Sequence, residues 1–316
     1  MKLPLLVLVG PTAVGKTALS VDLAERLGGE IISGDSMQVY RGMDIGTAKI
    51  TPAEMRGVPH HLIDIKSPDE PYSVAEFQSQ VDQLIRAIHG RGRLPMLVGG
   101  TGLYVRAVVQ EYTFSEQETD HGLRAELAEA EAKNGPGYLH GQLAAVDPEA
   151  AARLHPNDLR RIIRALEVYT VTGVPISQTQ VATQAERRYD DLFLGLTMDR
   201  ELLYGRIDQR VEQMITLGLA AEVQGLLQRY DPHLPAMEAI GYRETVQYLR
   251  GLLNMAEATA LIKRNTRRFA KRQFTWFKKE PGVTWFDLST PADRNAILDK
   301  VTAIVEGKWR KAVEAH

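Results

Sequence analysis

Gly10-Pro11-Thr12-Ala13-Val14-Gly15-Lys16-Thr17 is the stretch on which the fold turns: a glycine, four residues, a second glycine, then a lysine and a hydroxyl residue. Its flanks give it a setting. Residues 5–9 (LLVLV) form an unbroken apolar run, as a strand of a parallel sheet does when both its faces are covered. Residues 17–27 follow a helical pattern and stop at Gly28-Gly29. A strand, a glycine loop and a helix in that order make a P-loop. The glycines let backbone N–H groups turn inward around phosphate oxygens, and the helix N-terminus adds its partial positive charge. Lys16 is then expected to neutralise the outer phosphate and the Thr17 hydroxyl to ligate Mg²⁺. Such a loop recognises a phosphate chain rather than a nucleotide base.

Outward from this loop the same alternation continues. Short apolar runs at residues 30–33, 62–65 and 96–98 are read as further strands. Residues 73–88 are read as a helix opened by a capping box of Ser73 and Glu76. This predicts an α/β protein with a P-loop NTPase-like parallel sheet core. From 115 to 188 the pattern is helical only. Asp147-Pro148 marks one helix start, Asn157 or Asp158 another, and Gly173 a stop. Residues 191–196 read as a strand returning to the sheet, so 115–188 is expected to be a helical insertion domain in a core made of 1–114 and 189–316. Helices over 200–217 and 255–276 and a last strand at 283–288 complete the reading.

With 316 residues, 44% of them hydrophobic and 25% charged, the chain has the make-up of an ordinary soluble protein. The absence of cysteine excludes disulfides, thiolate nucleophiles and Cys-ligated zinc. No apolar run is long enough to span a membrane, and the expectation is a cytoplasmic protein that acts as a monomer. A net charge of -2 argues against non-specific nucleic-acid binding. The charge is uneven, however. Lys263, Arg264, Arg267, Arg268, Lys271, Arg272, Lys278 and Lys279 fall in a stretch without one acidic residue, and Arg160, Arg161 and Arg164 form a second basic cluster. On the 255–276 helix Arg264, Arg268, Lys271 and Arg272 share a face. That suits a polyanion backbone or, equally, a solvated surface.

Asp35 follows the second apolar run at the carboxyl edge of the sheet, where it can orient a metal-bound water, accept a proton, or simply cap the next turn. Asp64 competes as a Walker-B type carboxylate. Gly99, Gly100 and Gly102 put a glycine-rich loop at the same edge, which a tight strand-to-helix turn would also explain. Arg206 and Arg210 share a helix face and can clamp phosphate, with pairing to Glu201, Asp208 and Glu212 as the default. The adjacent His60 and His61 would point apart on a strand, and the histidines show no metal-ligand spacing.

Taken together, several segments resemble the tRNA dimethylallyltransferase (tRNA isopentenyltransferase) family. They are the P-loop itself, residues 35–49 (DSMQVYRGMDIGTAK), 99–104 (GGTGLY), 155–158 (HPND), 240–243 (IGYR) and 270–277 (AKRQFTWF). The P-loop alone is shared with many kinases; the 35–49 run and the Lys-Arg-Gln segment are far more selective. The resemblance implies dimethylallyl diphosphate as donor and N6 of adenosine-37, beside the tRNA anticodon, as acceptor, so that the P-loop holds a diphosphate leaving group rather than ATP. It further implies that Asp35 is the general base, that Thr12, Lys16 and Thr17 handle diphosphate and Mg²⁺, and that Arg210 is the arginine near the diphosphate. Asp35, Ser36, Met37, Gln38, Thr101, Arg124, Arg160, Arg161, Ile162, Ile163, Arg164, Glu238, Ala239, Ile240, Gly241, Tyr242 and Arg243 fall where the family touches tRNA. The helical section would grip the anticodon stem-loop.

Overall fold

Every residue of the first strand from Leu5 to Val9 is buried, and successive side chains enter different cores. Leu6 and Leu8 pack into one apolar cluster, and Leu5, Val7 and Val9 into another. That is the arrangement of a strand covered on both faces. The structure, a computed structural model, describes residues 2–110, 120–179, 187–290 and 293–310. By contact the chain divides into two units, residues 1–111 with 187–316 and residues 112–186.

The first unit carries a six-stranded, all-parallel sheet: β1 (Pro4–Val9), β2 (Gly29–Ser33), β3 (His60–His61), β4 (Leu94–Gly99), β5 (Asp190–Thr197) and β6 (Thr284–Asp287). The order is β3-β2-β4-β1-β5-β6. Around it lie α1 (Lys16–Leu27), α2 (Pro52–Met55), α3 (Val74–Gly90) and α4 (Gly102–Val109). In the second unit the described residues form α5 (His121–Asn134), α6 (Tyr138–Val146), α7 (Pro148–Arg153), α8 (Leu159–Thr172) and α9 (Ile176–Thr179), with no strand. The first unit resumes with α10 (Arg200–Thr216), α11 (Leu219–Leu227), α12 (Tyr242–Leu249), α13 (Met255–Phe277) and α14 (Asp293–Val305). The expected boundary at residues 114 and 115 lies outside the described residues.

Local stop and start signals act as their chemistry requires. Gly28 ends α1 in the left-handed region at φ 64. Asp147 accepts from the Ala150 N–H at the start of α7, where Pro148 has no N–H to lose. Two expectations need correction. Ser73 does cap α3, accepting from the Glu76 N–H at 3.1 Å, but no return bond from Glu76 to the Ser73 N–H forms. The Glu76 carboxylate meets Lys66 at 2.9 Å instead. The strand expected over 62–65 lies just upstream, at His60–His61, because Leu62 (φ 61) and Asp64 (φ 56) turn left-handed. The apolarity there has another source: Leu62 packs into one core and Ile63 against the other.

Candidate active site

The loop between β1 and α1 is held open as a cradle. Gly10 sits at φ 150 and Gly15 at φ 107, and a side chain at Gly10 would come within 2.7 Å of the Leu196 carbonyl oxygen. Lys16 begins α1 and folds back, its ammonium donating to the Gly10 and Pro11 carbonyls at 2.9 and 2.8 Å. Burial disfavours that charge and pulls its pKa down to about 7; nearby Asp35 opposes the shift and Arg210 adds to it. Lys16, Thr17, Asp35 and Gln38 line one open cleft of about 460 Å³, whose apolar wall includes Ile31, Ile50 and Val98.

Asp35 does cap the next turn. One carboxylate oxygen accepts from the Met37 N–H at 2.9 Å and closes the turn, while among the described residues no hydrogen bond engages the other. Thr101, at the N-terminus of α4, accepts from the Ser36 N–H at 3.3 Å and so ties the two loops together. Gln38 spans the Ser33 hydroxyl and the Thr47 carbonyl, both at 3.3 Å. Asp64 does not line the cleft; it pairs with Lys49 at 2.6 Å.

Arg210 comes from α10. Its expected acidic neighbours are engaged elsewhere, Asp208 with Arg267 at 2.9 Å and Glu212 with Lys263 at 2.6 Å, both on α13. Arg210 is left without an ion pair or hydrogen bond among the described residues, and burial lowers its pKa against the pull of Asp35 and then Glu54. Lys16 and Arg210 therefore both stand in the field of Asp35. The exposed face of α13 keeps Arg264, Arg268, Lys271 and Arg272 out of any ion pair among the described residues. Arg272 also lies over the Phe269 ring.

The glycines at 99–102 do make a tight strand-to-helix turn, between the end of β4 at Gly99 and the start of α4 at Gly102, but none of them has positive φ, so the turn itself does not demand glycine. What demands glycine is that larger residues would collide. A Cβ would overlap the Gly34 backbone at Gly99, the Gln273 side chain at Gly100 and the Trp276 ring at Gly102. Gln273 is the residue the sequence reading passed over. Its buried carboxamide accepts from the Thr12 N–H at 2.8 Å and donates to the Gly100 carbonyl at 3.1 Å, bolting α13 to the phosphate cradle. Its one sequence signal is its place in the Lys-Arg-Gln segment.

The basic residues of the second unit are less free than their sequence suggests. Arg124 and Arg164 both clasp the buried Glu167, at 2.8 and 2.6 Å. Arg161 pairs with Asp158 at 3.2 Å, and Ile162 and Ile163 are buried in the unit's core. Arg160 is exposed and unpaired among the described residues. In the first unit, Glu238 and Arg243 lie 3.9 Å apart, Ala239 and Ile240 are partly buried, and Gly241 begins α12 at φ 96. The Tyr242 ring is fully buried.

The family model described as IPP transferase matches residues 38–280. The chain belongs to the IPP transferase family. It is 68% identical to the tRNA dimethylallyltransferase of Symbiobacterium thermophilum, over 98% of this chain and 97% of that one. With the Bacillus subtilis tRNA dimethylallyltransferase it shares 49% over 97% and 98% of the two chains. Among solved IPP transferase structures, the full-length tRNA isopentenylpyrophosphate transferase of Bacillus halodurans superposes with a TM-score of 0.73 at 49% identity, covering both chains completely. A eukaryotic dimethylallyltransferase, solved acting on tRNA, superposes with a TM-score of 0.84 at 29% identity, over 98% of this chain and 80% of that one. No helix among the described residues is long and apolar enough to cross a membrane, and none of their acidic or histidine side chains cluster as a metal site.

Proposed function

We propose that this chain transfers the dimethylallyl group of dimethylallyl diphosphate to N6 of adenosine-37 in tRNA, releasing diphosphate, as a monomer in the cytoplasm. The observation that carries the reading is the meeting of Lys16, Thr17 and Asp35 in one cleft, with Arg210 in the same electrostatic field. A phosphate cradle and a carboxylate with a free oxygen are what this reaction needs. The adenine amine is a weak nucleophile because its lone pair is delocalised into the ring. Transfer therefore requires a stabilised leaving group, alignment and removal of a proton.

In this reading the loop amides and Lys16 hold the diphosphate, and Arg210 faces the charge that grows on it as the carbon–oxygen bond breaks. Asp35 receives the N6 proton as the carbon–nitrogen bond forms. Holding both partners in one cleft supplies the entropic advantage. The target base must leave its stack, at a cost of roughly a few kcal/mol that contacts to the loop around it offset. Those contacts fall to residues 35–38 and Thr101, to Glu238 and Arg243, and to exposed basic groups such as Arg160 and the α13 face.

A divalent cation fits the residues present. The Thr17 hydroxyl lines the cleft with no hydrogen-bond partner among the described residues, Asp35 has an open oxygen, and all the donors are oxygens. Mg²⁺ characteristically takes few protein ligands and completes its shell with water and substrate phosphate. Thr17 would hold it, and it would supply neutralising charge to the diphosphate.

The test is direct. The protein is incubated with Mg²⁺, labelled dimethylallyl diphosphate and tRNA carrying adenosines at positions 36 and 37, and the tRNA nucleosides are examined by mass spectrometry. Label on N6 of adenosine-37 is the expected result. Label passing instead from the γ-phosphate of ATP to a small molecule would replace the reading with that of a kinase.

A further inference from the structure

The acceptor side of the cleft is built on chain that has almost no regular structure. Residues 34–51 contain neither helix nor strand, only an isolated pairing of Tyr40 with Lys66. Yet this segment carries Asp35 and Gln38, whose placement has to be held to a fraction of an ångström for a proton to move. Beyond the backbone bonds that tie residues 38–41 to 64–66, side chains must fix its path.

Two side chains do so. Lys49 is one, its ammonium on the Tyr40 carbonyl at 2.8 Å and between the Asp44 and Asp64 carboxylates. The other arrives from far along the chain. Glu222 on α11 accepts from three successive backbone N–H groups with one carboxylate, from Asp44 at 3.0 Å, Ile45 at 2.7 Å and Gly46 at 3.2 Å. A fourth donor, the Tyr242 hydroxyl at 2.7 Å, pins the carboxylate from α12. Burial pushes the Tyr242 phenol far up, so it stays a donor. Gly46 lies so close under that ring that any side chain there would overlap it.

The residues so held are continuous with the site. The next carbonyls, Thr47 and Ala48, accept from the Gln38 carboxamide at 3.3 and 3.5 Å, whose oxygen in turn takes the Ser33 hydroxyl at the end of β2. A connected set of hydrogen bonds thus runs from α12 through Glu222 to Gln38, three residues from Asp35. The P-loop takes no part in it.

We propose that Glu222, steadied by Tyr242, is a positioning residue for prenyl transfer: it sets the geometry of the acceptor-side loop without contributing to the grip on diphosphate. The inference rests on the transfer reading above. It predicts a separation that a purely structural carboxylate would not produce, namely loss of turnover with the diphosphate site intact.

The experiment compares wild type, E222Q and Y242F for kcat at saturating donor and tRNA, and for inorganic diphosphate affinity by calorimetry. In E222Q the amide nitrogen faces backbone donors, so the 44–46 turn is released. A shift of about 1 Å at a reacting group costs roughly a hundredfold, and kcat is expected to fall by about that factor. The diphosphate Kd should stay within about twofold, because the cradle is untouched by the perturbation. Y242F keeps the carboxylate and its three amides and should lose about five- to tenfold in kcat, a fraction of that loss. If E222Q does not fold, Y242F decides by the same split. Wild-type kcat in either folded variant overturns the proposal, and so does a fall in kcat matched by an equal loss of diphosphate affinity. Wild-type transfer to tRNA in the same assay tests the underlying reaction separately.

Discussion

The Lys16 ammonium is the most exposed point of this account to experiment, because its state in the free protein differs from the state the bound anion needs. Burial first, with Arg210 adding and Asp35 opposing, brings its pKa from 10.5 to about 7. At pH 8 the free protein then carries Lys16 mostly neutral, with about a tenth protonated. A diphosphate in the cradle favours the ammonium and raises its pKa, so binding at pH 8 should take up close to one proton, about 0.9 per site. The sign follows. Affinity is flat below about pH 7, where the lysine is already charged, and falls by up to about tenfold per pH unit above it, until the pKa of the complex is reached. The ligand's own ionisation works the other way, since a cationic cleft prefers the more ionised diphosphate and would release protons. In folding the sign is again fixed. The depressed pKa makes charged Lys16 a cost to stability that is complete below about pH 7 and is relieved as pH rises toward 10.5. Calorimetry with inorganic diphosphate at pH 8, in buffers of different ionisation enthalpy, gives the proton number. Proton uptake no greater than that of Lys16→Arg, whose side chain stays charged throughout and so leaves only the ligand's own ionisation, would refute the reasoning.

Three further outcomes follow from the same geometry. Asp35→Asn removes the proton acceptor while keeping the side chain's shape, so kcat should drop by about 10²–10⁴ with tRNA affinity nearly intact; unchanged turnover in a single-turnover assay would take Asp35 out of its assigned role. Arg160→Ala should lower the slope of log affinity for tRNA against log salt by about one, whereas Arg164→Ala should lower the melting temperature, because it strips one of two arginines from buried Glu167; equal salt slopes for Arg160→Ala and wild type would mean that Arg160 faces only solvent. Gln273→Leu leaves the Thr12 N–H and the Gly100 carbonyl without their partner, a loss of about 1–3 kcal/mol, and should weaken inorganic diphosphate binding about tenfold by calorimetry; an unaltered Kd would show that the cradle keeps its shape without the bolt from α13.

What the sequence disclosed was whatever its neighbours in the chain decide. The P-loop, the buried run of β1, the stop at Gly28 and the cap at Asp147 are all settled within a few residues, so their patterns are complete on the page. The short third strand was misplaced because an apolar run facing two cores looks the same as a strand. The glycines at 100 and 102 read only as turn residues because their tighter constraint, Gln273 and Trp276 on α13, lies some 170 residues away. For the same reason the arginine cluster overstated its free charge. Only the fold shows that Arg164 and Arg124 are spent on one buried glutamate. Gln273 and Glu222 gave little local sign of their roles, since a polar side chain on a helix reads as surface until its distant partners are known.

For the transfer proposed above, the cleft's charges suit what leaves rather than what enters. In the free protein Lys16 and Arg210 are both desolvated, Arg210 presses the Lys16 pKa down, and Asp35 is the carboxylate that acts on both. Two desolvated basic groups that share one carboxylate are in poor balance when both are charged, and an arriving diphosphate ester would relieve it. Departing diphosphate relieves it further, because breaking the bond to carbon adds a full charge to the oxygen that carried the prenyl group. An interaction that grows along the reaction lowers the barrier, whereas one equal at both ends does not. On the acceptor side Asp35 takes the N6 proton, and the rest of what the protein supplies there is position. The site's two halves are built accordingly, a loop of inward N–H groups with buried cations on one side, and on the other an irregular segment held still by carboxylates and carboxamides drawn from distant helices.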